Sequence, residues 1–267
     1  VQINWLGYPG TLGHAKLADY LLGDPIVTPL AQQEDYVETI AQLPGCYLPV
    51  DCSMPLSRPP TRSEAGLPEE GFVFCSFNNS YKINPAVFDV WCRLLVAIPD
   101  SVLWMSFPGE PAQQRLRKEA AARGVDPLRV VFAPYVASRS EHLARLQLAD
   151  LALDPFPYNS HSTGVDALWA GVPMVVLLGQ TFPGRVGATL IAAAGLPELI
   201  ARNVDEYQRI ARQLATDPTW LQAVRARLAT DKERCLLFDM PRFVAALEET
   251  YFRCWENYCR GMRGPSS

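Results

Sequence analysis

From residue 72 onward the chain alternates short apolar runs with helical windows. This alternation constrains the fold more than any other feature of the sequence. Phe72-Val73-Phe74-Cys75-Ser76-Phe77 reads as a strand. Residues 85–98 fit a helix, with Asn84 as its cap and Pro85 at its first position. Strands are predicted at 102–106, 130–132, 151–153 and 174–178. Helices are predicted at 111–123, 139–148, 162–170 and 185–194, three of them stopped by Gly124, Gly171 and Gly195. Helical windows then run through 205–215, 218–230 and 241–260. Strand and helix in alternation at this spacing predict an α/β fold with a doubly wound parallel sheet.

The first 55 residues are less regular. Residues 3–6, 19–23 and 46–50 read as short strands and 32–42 as a short helix, too little for a core of its own. Residues 56–71 read as a proline-rich linker between this block and the regular region at 72–240, with 241–267 as a closing helical segment.

Composition narrows the partners. Lys plus Arg number 24 against 28 Asp plus Glu, so the net charge is -4 and a polyanion such as nucleic acid is not the expected partner. No apolar run reaches the roughly 18 residues that span a bilayer, so no membrane association is expected. The seven cysteines form no Cys-x-x-Cys pair, which argues against a zinc site and for a reducing, cytoplasmic setting. The N-terminus reads like the middle of a strand, as in a fragment of a longer protein. Asn78-Asn79-Ser80 matches a glycosylation pattern that is expected to go unused.

In an open parallel sheet, ligands bind beyond the carboxyl ends of the strands, so polar residues there carry the chemistry. Three places stand out. Lys82 follows the first strand of the regular region, within reach of an anionic ligand; the plain alternative is a solvated loop lysine. His142 and Arg145 share a face of one helix; the alternative is an exposed turn. The sharpest signal is His161-Ser162-Thr163-Gly164 after the strand at 151–153. A helix N-terminus offers free N–H groups and a positive dipole end to an anion. Ser162 and Thr163 add hydroxyls, His161 adds a donor or proton carrier, and Asp166 sits one turn in, to meet a sugar hydroxyl or complement the dipole. Capping alone explains Ser162 or Thr163, but not the whole run.

Other sites are excluded by their absence from the sequence. There is no Gly-x-x-x-x-Gly-Lys phosphate loop, no Gly-x-Gly-x-x-Gly fingerprint and no Gly-x-Ser-x-Gly elbow. There is no Asp-x-Asp pair to hold a metal on a diphosphate, and His14, His142 and His161 lack metal-ligand spacing. A metal-free diphosphate site of Lys82, a helix N-terminus and His161 remains.

Several longer motifs go further. Trp5-Leu6-Gly7-Tyr8-Pro9-Gly10-Thr11, Phe77-Asn78-Asn79-Ser80-Tyr81-Lys82-Ile83-Asn84-Pro85, Ser101-Val102-Leu103-Trp104 and His161-Ser162-Thr163-Gly164-Val165-Asp166-Ala167-Leu168-Trp169-Ala170-Gly171 resemble the protein O-linked N-acetylglucosamine transferase family, in order and over nearly the whole chain. The resemblance implies a GT-B glycosyltransferase architecture: two Rossmann-like lobes with the sugar nucleotide between them. It implies an inverting, metal-independent transfer of N-acetylglucosamine from UDP-GlcNAc to Ser or Thr hydroxyls of protein acceptors. By that resemblance Lys82 and the Ser162/Thr163 helix start hold the diphosphate, with His161 beside the diphosphate and sugar. Asp166 binds near the ribose, His142 flanks the uracil and Arg145 meets its edge. Asn79, Tyr158 and, from the other lobe, Leu6, Gly7 and Pro9 complete the substrate-binding set. Asn79 stands where animal members carry Gln, and Ser162 replaces the usual first Thr after the His. The extra residue before His142 leaves Arg139 unassigned.

The resemblance also implies what lies elsewhere. Residues 1–55 would be the C-terminal part of the first lobe, and the family places further histidines and tetratricopeptide repeats before it. Two alternatives stand beside this reading: transfer of glucose from UDP-glucose to asparagine by the same site, and a non-catalytic sugar-nucleotide-binding module.

Overall fold

The computed structural model describes residues 1–106, 109–230 and 235–261. The tail of the closing segment, 262–267, lies outside the described residues. Two parallel sheets organise the chain. The first has three strands in order β1 (Ile3–Asn4), β2 (Tyr20–Gly23), β3 (Thr39–Gln42). The second is built from β4 (Phe72–Ser76), β5 (Ser101–Met105), β6 (Val130–Phe132), β7 (Leu151–Leu153), β8 (Met174–Leu177) and β9 (Ile200–Ala201). Its spatial order is β6-β5-β4-β7-β8-β9, all parallel. Numbered within the sheet this is 3-2-1-4-5-6, the doubly wound order, whose direction reverses between β4 and β7.

Five helices make the crossovers: α1 (Pro85–Ala97), α2 (Glu110–Ala122), α3 (Arg139–Leu146), α4 (Ser162–Trp169) and α5 (Val186–Ala193). Then follow α6 (Val204–Thr216), α7 (Pro218–Thr230) and α8 (Met240–Cys259). α1 packs beside α6, while α3, α4 and α5 neighbour one another. The strands of this sheet lie between helices and are mainly apolar, with serine only at the ends of β4 and β5: Val73, Phe74, Leu103, Trp104, Met105, Leu151, Val175 and Val176 are fully buried. The expected cap holds at α1, where the Asn84 carboxamide oxygen accepts from Val87 N–H at 3.0 Å. The same amide donates to the Phe156 carbonyl at 2.7 Å, tying the start of α1 to the loop after β7.

The first block departs from the sequence reading in two places. Residues 32–42 are not one helix: a 3-10 turn covers Leu30–Asp35 and β3 follows. Ile40 N–H donates to the Gln33 side chain at 2.9 Å, and β3 pairs with β2 from Tyr20↔Thr39 to Gly23↔Gln42. Sheet pairing outweighs the helical tendency of this window. Residues 46–50 are not a strand but a largely buried irregular segment that follows Pro44 and contains Pro49. Its Tyr47 N–H is taken by the Asp24 carboxylate at 3.0 Å instead of a ladder partner. The two-residue β9 is too short to leave a periodic signal.

α8 reaches back to the first sheet. Phe243 stacks on Trp5 with centroids 6.1 Å apart, and Arg253 donates to the Gln42 carbonyl at 3.4 Å. Asp24 also joins the two sheets: its carboxylate accepts from Ile26 and Val27 N–H, from Tyr47 N–H and, at 2.8 Å, from the Thr189 hydroxyl of α5.

Candidate donor-binding site

The switch between β4 and β7 sends two loops out of the same end of the sheet. The β4 loop carries Lys82 at the end of the short turn Ser80–Lys82. The β7 loop runs from Asp154 to His161 and delivers the chain into α4. Lys82 is 92% buried, its ammonium donating to the Asn159 carbonyl at 2.7 Å and lying 4.3 Å from the centre of the Tyr158 ring. Burial lowers its pKa, partly offset by the nearby Asp154. A cation with one neutral carbonyl partner in a half-dry site has strong capacity left for an anion.

His161 precedes α4 and caps it through its backbone carbonyl, which accepts from Gly164 and Val165 N–H. The first N–H groups of any helix lack intrahelical partners, so the Ser162 and Thr163 amides present the positive end of α4 beside Lys82. The His161 ring meets Tyr158 edge-on at 5.3 Å, and its Nε2 is buried without a hydrogen-bond partner. Burial, and secondarily Lys82, lower its pKa to about 4, so the ring is neutral at pH 7. The two hydroxyls of α4 differ. Ser162 is exposed at the helix start. The Thr163 hydroxyl turns inward and donates to the Asn78 carboxamide oxygen at 2.9 Å.

His142 and Arg145 do lie together on α3. The guanidinium approaches His142 Nδ1 at 3.1 Å, donates to the Pro134 carbonyl and covers the Phe77 ring at 4.9 Å. His142 packs edge-on to Phe77 at 5.3 Å. Burial first, then Arg145, lower the His142 pKa, leaving a neutral flat ring at the end of β4. A cleft of about 430 Å³ opens beside this cluster, walled by Trp104, Pro134, Val136 and Arg145 and by linker residues Ser57–Pro60. Asp166 is paired with Arg139 at 3.0 Å, and Arg139 also reaches Asp51 at 3.5 Å.

The loop after β1 faces this site. Leu6, Tyr8 and Pro9 line a small cavity together with His161, Tyr47 and Phe182. Leu6 holds φ 62°, and Gly7 N–H closes back onto the Trp5 carbonyl at 2.7 Å. A left-handed leucine costs about 1–3 kcal/mol, and such strain is held where the turn serves a site. Gly7 itself is exposed, with open space where a Cβ would stand, and Asn79 is exposed at the start of the Lys82 turn. Both flank the site, and the Asn79 carbonyl accepts from Lys82 N–H at 3.0 Å.

Sequence reasoning passed over three residues that organise the site. Asn78, 96% buried, joins the β4 loop to the β7 loop. Asp154, fully buried, accepts from Ser160 N–H at 2.7 Å, and desolvation raises its pKa to about 7. Phe77 seats both His142 and Arg145. Only Asn78 and Phe77 lay inside a recognised motif; a buried Asp at a strand end leaves no pattern. Among the described residues, no group of three or more His, Cys, Asp and Glu converges as a metal site.

A three-stranded parallel sheet beside a six-stranded doubly wound one, the latter with an anion-ready switch point, defines the class: a GT-B glycosyltransferase fold. Solved glycosyltransferases support that fold at low identity. WaaG, of lipopolysaccharide biosynthesis, superposes with TM-score 0.61 at 15% identity over 89% of this chain and 64% of its own. The profile of glycosyl transferase family 41 matches residues 1–57 and 52–247, and the chain belongs to that family. It is 40% identical over 272 residues to the probable UDP-N-acetylglucosamine–peptide N-acetylglucosaminyltransferase SEC of Arabidopsis thaliana, covering 98% of this chain and 27% of that protein. It is 38% identical over 203 residues to the Caenorhabditis elegans UDP-N-acetylglucosamine–peptide N-acetylglucosaminyltransferase, 76% of this chain and 18% of the relative. The O-GlcNAc transferase of Thermobaculum terrenum superposes with TM-score 0.87 at 31% identity, over 98% of this chain and 49% of its own. The chain thus spans little more than a quarter of the length of the first of these relatives.

Proposed function

We propose that this chain is the donor-binding half of a metal-independent, inverting protein O-GlcNAc transferase. One observation carries the reading: Lys82, the N-terminus of α4 and neutral His161 converge at the β4/β7 switch, facing the Leu6–Pro9 loop. The named activity of its relatives supplies UDP-GlcNAc as donor and a peptide as acceptor.

The mechanism follows from where charge develops. A Ser or Thr hydroxyl of the acceptor displaces UDP at the anomeric carbon from the opposite face. The C–O bond to the β-phosphate breaks, the electron pair leaves with UDP, and the hydroxyl's proton passes to a base, either an amide or phosphate oxygen of the donor or a residue of the first lobe outside this chain. Lys82 and the α4 amides are already aimed at that growing negative charge, which lowers the barrier without reorganisation. His161, uncharged, acts as a hydrogen-bonding wall between the sugar and the diphosphate, not as a second cation. The flat His142 ring and the Arg145 edge hold the base, and Asp166 with Arg139 lies toward the ribose. Tyr158, with Leu6 and Pro9, bounds the sugar, while Gly7 and Asn79 border the pocket.

We place the rest of the first lobe, and tetratricopeptide repeats that recruit acceptors, in the part of the full-length protein outside this chain. Its seven cysteines, none of them in a disulfide among the described residues, suit the reducing cytoplasm. Titration of the chain with UDP-GlcNAc and UDP-glucose, in EDTA, tests the reading: UDP-GlcNAc should bind more tightly. Preference for UDP-glucose would overturn the assigned sugar.

A further inference from the structure

We infer that Asn78 is a positioning residue, which fixes the start of α4 against the Lys82 loop and so sets the spacing of the two groups that grip a diphosphate. The inference rests on the donor-site reading above. Asn78 directly follows the Phe77 that seats His142, and four residues later comes Lys82. Its side chain is 96% buried, and every polar atom of its amide is used. The carboxamide oxygen accepts from the Thr163 hydroxyl at 2.9 Å. The amide nitrogen donates to Ser160 Oγ at 2.8 Å and to Ser76 Oγ at 3.4 Å. One side chain thus bonds the end of β4, the β7 loop and the first turn of α4.

This network divides the labour at α4. Thr163 spends its hydroxyl proton on Asn78, so its contribution to an incoming phosphate is its backbone N–H, held in place from behind. The exposed Ser162 is left to offer a hydroxyl directly. Asn159, next to Ser160 in the same loop, supplies the carbonyl that receives Lys82. Loss of the Asn78 bonds therefore frees both the α4 amides and the Lys82 acceptor, although the Asn78 amide itself is spent on protein partners. Residues coupled through one network give non-additive losses, whereas independent contacts add.

The test is a double-mutant cycle on the intact chain, read as the affinity for UDP by calorimetry. Asn78→Ala and Thr163→Val should each weaken UDP binding about three- to tenfold, and the double variant should be no weaker than the worse single. Asn78→Ser, whose side chain is too short to reach Thr163, replaces the alanine variant in the cycle if that variant does not fold. Losses that multiply in the double variant would show Thr163 acting on the phosphate by itself, and would overturn the inference. So would variants with lowered thermal midpoints but wild-type affinity, the mark of a purely structural amide. Lys82→Ala is the control for the underlying reading: if the wild-type chain binds UDP and Lys82→Ala does not, the donor site stands whatever the Asn78 cycle shows.

Discussion

Lys82 carries the plainest prediction at the scale of single residues. It is a buried ammonium with one neutral partner, so Lys82→Ala should weaken UDP binding by about 1.5–3 kcal/mol, or tenfold and more, in a calorimetric titration. Asp154 gives a pH prediction. Desolvation raises its carboxyl to about 7, so the folded chain holds a proton that the unfolded chain releases near pH 4. Its contribution to stability is therefore fully present below pH 4 and lost as pH rises to about 7. Thermal midpoints of wild type minus those of Asp154→Asn should fall across pH 4 to 8; parallel curves would refute the buried acid. His161 works in the other sense. Its pKa is lowered to about 4, so stability from the neutral ring is present above pH 6.5 and lost as pH falls toward 4. Of the site residues, those with a charge or a hydroxyl at a strand end were legible in the sequence. The direction each points was not: Thr163 turns inward and Asp166 pairs with Arg139, and both are set by tertiary neighbours.

Elements were legible where period and caps agree. From β4 to α8 the alternation fixed nearly every strand and helix within one or two residues, because a strand buried on both faces reads as a nearly continuous apolar run. The first block failed because its order comes from elsewhere. β3 is held by pairing with β2, and residues 46–50 are held by a carboxylate from the β2 end. Close approach between elements is also invisible in sequence. At Gly187, in α5, a Cβ would meet Asp154 Oδ2 at 2.3 Å and Val176 at 2.8 Å. Gly187→Ala should therefore cost about 1–3 kcal/mol in urea unfolding and disturb the β7 loop. At Gly164 the nearest contact is the end of the Leu190 side chain at 2.9 Å, which can yield in part, so Gly164→Ala should cost less.

On the scale of the whole molecule, the two sheets act as one unit because buried polar ties cross between them. Asp24 is fully buried and receives three backbone N–H groups and the Thr189 hydroxyl. Asp24→Ala would orphan all four, and should cost about 3 kcal/mol or more in chemical denaturation. Thr189→Val, which removes only the tie to α5, should cost about 1 kcal/mol. Holding the Leu6–Pro9 loop opposite His161 depends on this union, since the loop belongs to one sheet and the histidine to the other. The two-lobed plan could be expected from the resemblance; the polar joint between the lobes could not, since its partners stand 165 positions apart.

The central claim is that Lys82 and the start of α4 form a diphosphate site that needs no metal. Calorimetric titration of the chain with UDP in EDTA tests it most directly, run beside Lys82→Ala. The account predicts one UDP bound per chain in the absence of metal, and a loss of at least tenfold in the variant. A folded chain that binds no UDP, or a Lys82→Ala variant that binds it as well as wild type, would contradict the account.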